Sequence, residues 1–253
     1  MSHSYRIPAA ALCLVWAAPA LAQGPAPAAA PLPPPPPAWT GNAQVSFLKT
    51  TGNTETSVLG IGGEARYKGA SPWSLGLKAA LARGKADDVE NLRKFISALR
   101  GGRAFSERTD LFVEVGYAED IYAGIDSRYG GELGLSHRLT ITGKHLLSVE
   151  AGLGGIHEVR LPGKVAESFG TARGGFSYKY VISKTSDFQN QAGMTLNLSD
   201  SQDWRFTNAA SLTAALNARF SMKLSYNVAH LNTPPPGKKQ TDTTAAAALV
   251  AKF

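Results

Sequence analysis

The chain has 253 residues, with 26 Lys and Arg against 19 Asp and Glu and a formal net charge of +7. The cations are scattered, so no basic stripe or motif marks a nucleic-acid partner. The one cysteine, Cys13, lies in the first segment and leaves the remaining chain without a disulfide, a thiolate metal site or a Cys nucleophile.

Residues 1–22 read as a secretory signal peptide. Arg6 precedes the apolar run "IPAAALCLVWAAPALA", and Ala20-Leu21-Ala22 supplies small residues for cleavage before Gln23. The run is short for a spanning helix, which needs about 20 apolar residues. Residues 23–38 form a Pro/Ala tract that cannot pack a core and is expected to run as an extended polyproline tether.

From Trp39 to Phe253 the apolar period is two. "AQVSFL" sets Ala43, Val45 and Phe47 against Gln44 and Ser46. "WSLGLKAALA" sets Trp73, Leu75, Leu77 and Leu81 against Lys78, and "LFVEVGYA" sets Leu111, Val113, Val115 and Tyr117 against Glu114. The same alternation continues through Leu153, Phe176, Met194, Leu212 and Leu224. This is the pattern of strands with one apolar face. It predicts strands near 41–50, 57–68, 73–83, 91–103, 111–121, 127–138, 145–157, 167–180, 187–198, 205–217, 220–231 and 241–253. The last of these, "TDTTAAAALVAKF", has a helix-former composition. Read by twos it is a strand with Leu249, Ala251 and Phe253 on one side.

Short connections such as "KGASP" and "ARFS" alternate with longer ones such as "RGKADDVEN", "EVRLPGKVAE" and "NTPPPGKKQTD". Strands of this length, joined in this way, describe an all-β, antiparallel up-and-down transmembrane barrel of about 12 strands, within roughly 10–14. The even count puts both termini on the short-turn side. The face opposite the apolar one carries Glu64, Arg66, Lys78, Arg100, Glu114, Arg128, Glu132, Glu150, Arg173 and Lys179. These are the candidate lumen residues, since such barrels are apolar outside and polar inside. Trp39, Trp73, Tyr117, Tyr129, Tyr180 and Trp204 fall near strand ends, where interfacial girdles sit.

Three segments, "WTGNAQVSFLKTTGNTETSVLGIGGEARYKG", "YAGIDSRYGGELGLSHRL" and the closing "TDTTAAAALVAKF", together resemble the salt-induced outer-membrane protein family, whose function is undefined, of Gram-negative bacteria. The resemblance implies a bacterial outer-membrane barrel with no catalytic residues to carry over. A terminal Phe253 after an alternating strand resembles the signal read by the barrel-assembly machinery. The partners expected are therefore outer-membrane lipid and that machinery, with the barrel a monomer.

Function is read as passive: a narrow channel, or an envelope-integrity protein tied to salt or osmotic stress. An outer-membrane lipid-modifying enzyme and a soluble periplasmic β-domain are the alternatives. An enzyme needs a nucleophile, a base and an orienting group together. His137, His145, His157 and His230 have no spacing that pairs them, so no catalytic residue, cofactor or metal site is assigned. Glu119, Asp120 and Asp126 in "EDIYAGIDS" are expected to form a solvated acidic loop, with a weak cation site as the other reading.

Overall fold

A computed structural model describes residues 38–50, 56–69 and 71–253, with the side chains of 48–50, 56 and 141 left aside. The signal and all but the last residue of the tether lie outside the described residues. Twelve strands follow in order: β1 Trp39–Thr50, β2 Thr56–Lys68, β3 Trp73–Ala86, β4 Val89–Ala104, β5 Thr109–Asp120, β6 Ile125–Ile141, β7 His145–Arg160, β8 Val165–Val181, β9 Ser186–Asn197, β10 Trp204–Ala215, β11 Phe220–Leu231 and β12 Thr241–Lys252. Each pairs antiparallel with its sequence neighbours, and β12 pairs with β1 to close the barrel.

Closure leaves no sheet edge, which lipid would not tolerate. Asn42 to Val45 pair with Lys252 to Leu249. The Gly41 amide donates to the Phe253 carbonyl at 2.9 Å, and the Phe253 amide donates back to Gly41 at 3.1 Å. The Ala-rich tail is therefore a strand, its small side chains placed between β11 and β1. Gly41 is required beside the last ring: a Cβ there would stand 2.6 Å from Phe253 Cζ.

The apolar face points outward. Phe47, Leu77, Leu133, Leu153, Leu224 and Leu249 are all exposed, Leu153 at 64%. A soluble protein does not expose apolar surface on this scale. Among the described residues the buried apolar set is small by comparison, consisting of Phe112, Ile125 and Val250. This is an inverted arrangement, stable when hydrocarbon covers the outside.

The five connections at one end are each held by a side-chain acceptor. Ser71, Ser106, Thr142, Ser183 and Asn217, in these connections, accept from the backbone N–H of Trp73, Thr109, His145, Ser186 and Phe220 at the start of the next strand. Ser, Thr and Asn do this because their short oxygens reach a backbone amide one to three residues on. At the other end the strands run further than the sequence pattern marks. The connection in "RGKADDVEN" is only Asp87-Asp88, both at positive φ, the geometry of a tight I′ hairpin. "EVRLPGKVAE" turns at 161–164, with β7 and β8 filling the rest. About 9–11 tilted residues cross a bilayer, so the 16–17 residues of β4, β6, β7 and β8 extend past it on that side.

Candidate functional site: the barrel interior

Alternation fixes which side chains turn inward, and cross-barrel contacts show where they meet. Arg100 on β4 donates to Glu150 on β7 at 2.8 Å, three strands away. Glu114 joins the same group, 3.4 Å from Lys78 and 3.5 Å from Arg100. The Arg100 guanidinium also lies 3.5 Å above the ring of Phe112, whose inward side chain is 1% exposed. Phe112 thus seats the arginine by a cation–π contact. Higher up, Arg173 pairs with Glu132 at 3.2 Å, and near the turn end Lys179 pairs with Asp187 at 3.6 Å. Glu64 and Arg66 pair with each other at 3.3 Å, with Asn42 also donating to Glu64. Arg128, the last of the ten candidates, belongs to a separate group at the loop end.

That group is centred on Glu158, whose side chain is fully buried. It accepts from Arg128, Arg160 and Arg205. Asp203 meets Arg160 and Arg205 at 3.5 and 3.4 Å, and Arg205 also lies over the Phe169 ring. The energetic weights of the two kinds of pair differ. Arg66 and Glu64 are 67% and 42% exposed, and a pair in that setting contributes at most about 1 kcal/mol. Removing a partner from a buried group such as that of Glu158 costs about 3–5 kcal/mol.

The mouth above this group is bridged. Thr233, in the β11–β12 connection 232–240, donates to Asp203 at 3.1 Å. Pro235 is buried against Gly124 in the β5–β6 connection, halfway round the ring of strands. Gly124 has φ +85°, and a Cβ there would stand 2.9 Å from Pro235 Cγ, so only glycine admits the contact.

Most of the ion pairs lie on β3–β9, with Glu64–Arg66 on β2 and Arg205 on β10 outside that set. A cavity of about 230 Å³ remains among them, lined by Arg128, Arg173, Glu132, Ile156, Thr171 and Thr195. The other side, from β10 through β12 and β1 to β2, turns mostly small uncharged residues inward. Ser46, Gly60, Gly62, Ser225, Ala246 and Ala248 line it. Thr207, Ala209 and Thr244 on this arc are exposed, although Ser221 and Val250 at its turn end are buried, as are Phe112, Glu158 and Thr171 opposite.

Outside the barrel, aromatics gather near both strand ends. Trp39 meets Tyr67 at 5.2 Å, Tyr117 meets Tyr129 at 5.0 Å, and His145 stacks on Tyr180 at 4.8 Å. The four histidines among the described residues share one role. His137, His145, His157 and His230 bond Thr109, Tyr178, Ser168 and Thr241 on adjacent strands at 2.7–2.9 Å. Sequence spacing gave no sign of these partners because each lies across a strand pair. The His157–Ser168 contact is a base beside a hydroxyl, at an outer-face hollow floored by Gly131, Gly155 and Gly170. Among the described residues no acid orients His157, and three other histidines make the same hydroxyl contact. In the "EDIYAGIDS" segment, Asp120 pairs with Lys94 and Asp126 with Lys164, which leaves no shared cation site between them. Among the described residues no group of three or more His, Asp or Glu is arranged to hold a metal.

Glu158, Asp203 and Arg205 are functional-site residues that the sequence pattern does not mark. Glu158 has the inward parity of Glu150, but it follows the expected end of its strand at 157. Continuing the alternation by one residue finds it.

The model of a family described as "Protein of unknown function, DUF481" matches residues 43–253. The chain belongs to this family. Its described function is unknown, and no salt induction is attached to that description. No curated protein matches the chain. Among solved structures, the NanC porin aligns with TM-score 0.52 at 10% identity, covering 84% of this chain and 99% of the porin. The COG4313 outer membrane channel from Pseudomonas putida F1 aligns with TM-score 0.54 at 11% identity, covering 87% and 96%. At such identities the likeness is one of fold: the family's barrel has the architecture of outer-membrane β-barrels.

Proposed function

We propose that this member of the family is a narrow diffusion channel of the bacterial outer membrane. The observation that carries the reading is the two-sided lumen. A wall on β3–β9 dense in ion pairs faces a sparsely charged arc on β10–β2 that turns mostly small side chains inward, several of them solvent-exposed. Eight of the ten candidate lumen charges act here as the fixed wall of the path, and Glu64 and Arg66 pair with each other on β2 within the arc. The porin and the channel that share the fold are consistent with this reading. Export through residues 1–22, a periplasmic tether at 23–38, recognition of Phe253 by the barrel-assembly machinery and a monomeric state belong to the same proposal.

A second reading is a sealed barrel with a structural role in the envelope, including under osmotic or salt stress. The Pro235–Gly124 bridge and the Glu158 cluster favour it, because both fill the outer mouth. Planar-bilayer recording separates the two. The channel reading expects small unitary currents from the purified protein, growing when the 232–240 connection is shortened. Silence from both proteins supports the sealed barrel.

A further inference from the structure

The charges of the interior are not evenly balanced. On the wall of β3–β9 the inward basic side chains named above have acidic partners, from Lys78 with Glu114 to Lys179 with Asp187. The arc is different. Lys223 turns inward from β11, between Thr213 on β10 and Ala248 on β12. Lys68 and Lys252 share its inward parity, at the turn-end rim of β2 and β12. None of the three has an ion-pair or side-chain hydrogen-bond partner among the described residues. The arc offers few acids to answer them. Glu64 is held by Arg66 and Asn42, and Asp242 lies at the opposite rim.

Three cations with no paired acid therefore border the turn-end half of the sparsely charged arc. Lys223 is half-buried, set furthest inside, and flanked only by residues that cannot neutralise it. Of the three, Lys223 is the one a path along this arc meets deepest in the barrel, past the rim positions of Lys68 and Lys252.

The geometry points to Lys223 as the residue that makes the channel prefer anions, with Lys68 and Lys252 raising anion concentration at its turn-side entrance. This rests on the channel reading above. The permeating class is small hydrated anions, such as chloride or short carboxylates. The field acts through water and carries no stereochemical demand. A unit charge about 5 Å from a passing ion in watery surroundings changes its local concentration by roughly fourfold.

The test is the reversal potential of the purified full chain in planar bilayers under a KCl gradient. The wild type should favour chloride. Lys223→Gln removes one unit of charge and should lower the chloride-to-potassium permeability ratio by roughly fourfold or more, and Lys223→Glu changes the charge by two units and should lower it by roughly the square of that factor. The wild-type preference should shrink between about 0.1 and 1 M salt, as the Debye length falls from about 10 to 3 Å. Lys144→Glu, in the 142–144 turn, should leave the ratio unchanged. Both Lys223 variants are first checked for heat-modifiable migration, the sign of a folded barrel. Conducting, folded variants with the wild-type ratio overturn the role of Lys223 and leave the channel reading standing. A wild type that conducts with no preference, or prefers potassium, does the same. No conductance from the wild type overturns both.

Discussion

Glu158→Gln is the substitution that most sharply tests the structure of the interior. Glutamine keeps the size of the side chain and removes its charge. In the native barrel one carboxylate, fully buried, accepts from three guanidinium groups. After the change those three arginines share only Asp203, which reaches Arg160 and Arg205 but is not paired with Arg128. One Arg128 nitrogen already lacks a hydrogen-bond partner, so that side chain has little left to compensate it. Leaving buried charge uncompensated costs about 3–5 kcal/mol. For a chain of this size that is a fall of about 6–20 °C in the unfolding midpoint. The assay is the temperature at which the folded, fast-migrating form is lost in detergent. The double variant Glu158→Gln with Arg128→Gln should regain part of the loss, since it removes one of the unbalanced cations. A Glu158→Gln barrel that melts with the wild type would refute the view that this cluster holds the loop end together.

Gly134→Ala should destabilise the barrel by about 1–3 kcal/mol through overpacking, because its Cβ would stand 2.5 Å from Phe112 Cζ and 2.6 Å from the Ala151 carbonyl. Gly101→Ala, with nothing within 4 Å, should be near neutral in the same thermal assay. Deleting Phe253 removes both closing backbone bonds to Gly41 and should reduce the membrane-inserted, heat-modifiable fraction far more than deleting residues 24–36. Replacing residues 234–239 by Asn-Gly, a favoured tight-turn pair, removes the Pro235–Gly124 bridge and should raise unitary conductance without unfolding the barrel.

The strands were legible because lipid outside and charge inside enforce a strict period of two. Leu153 and Leu224 mark the outer face as clearly as Lys78 and Glu114 mark the other. The helix-like composition of "TDTTAAAALVAKF" misleads only when it is read alone. Closure against β1 overrides alanine's local preference. The loop ends were less legible. Beyond the bilayer the outward side chains need not be apolar, so β3 and β4 look like a loop in "RGKADDVEN", although their pairing continues to Ala86 and Val89. The same effect hid Glu158 and Arg205, which sit at the margins of the visible pattern. Pairing among inward charges was beyond sequence reasoning for a different reason. Arg100 meets Glu150 because β4 and β7 face each other across a closed ring, and that depends on strand number and stagger. The bridging of the mouth by Pro235 depends on the same closure.

The central claim is that the sparsely charged arc is a path through the barrel. Planar-bilayer recording on the purified full-length chain, alongside the variant with residues 234–239 replaced, tests it most directly. The account predicts small anion-preferring current steps from the wild type and larger ones from the variant. An interior that stays silent in both, from protein shown to be folded by heat-modifiable migration, would contradict it.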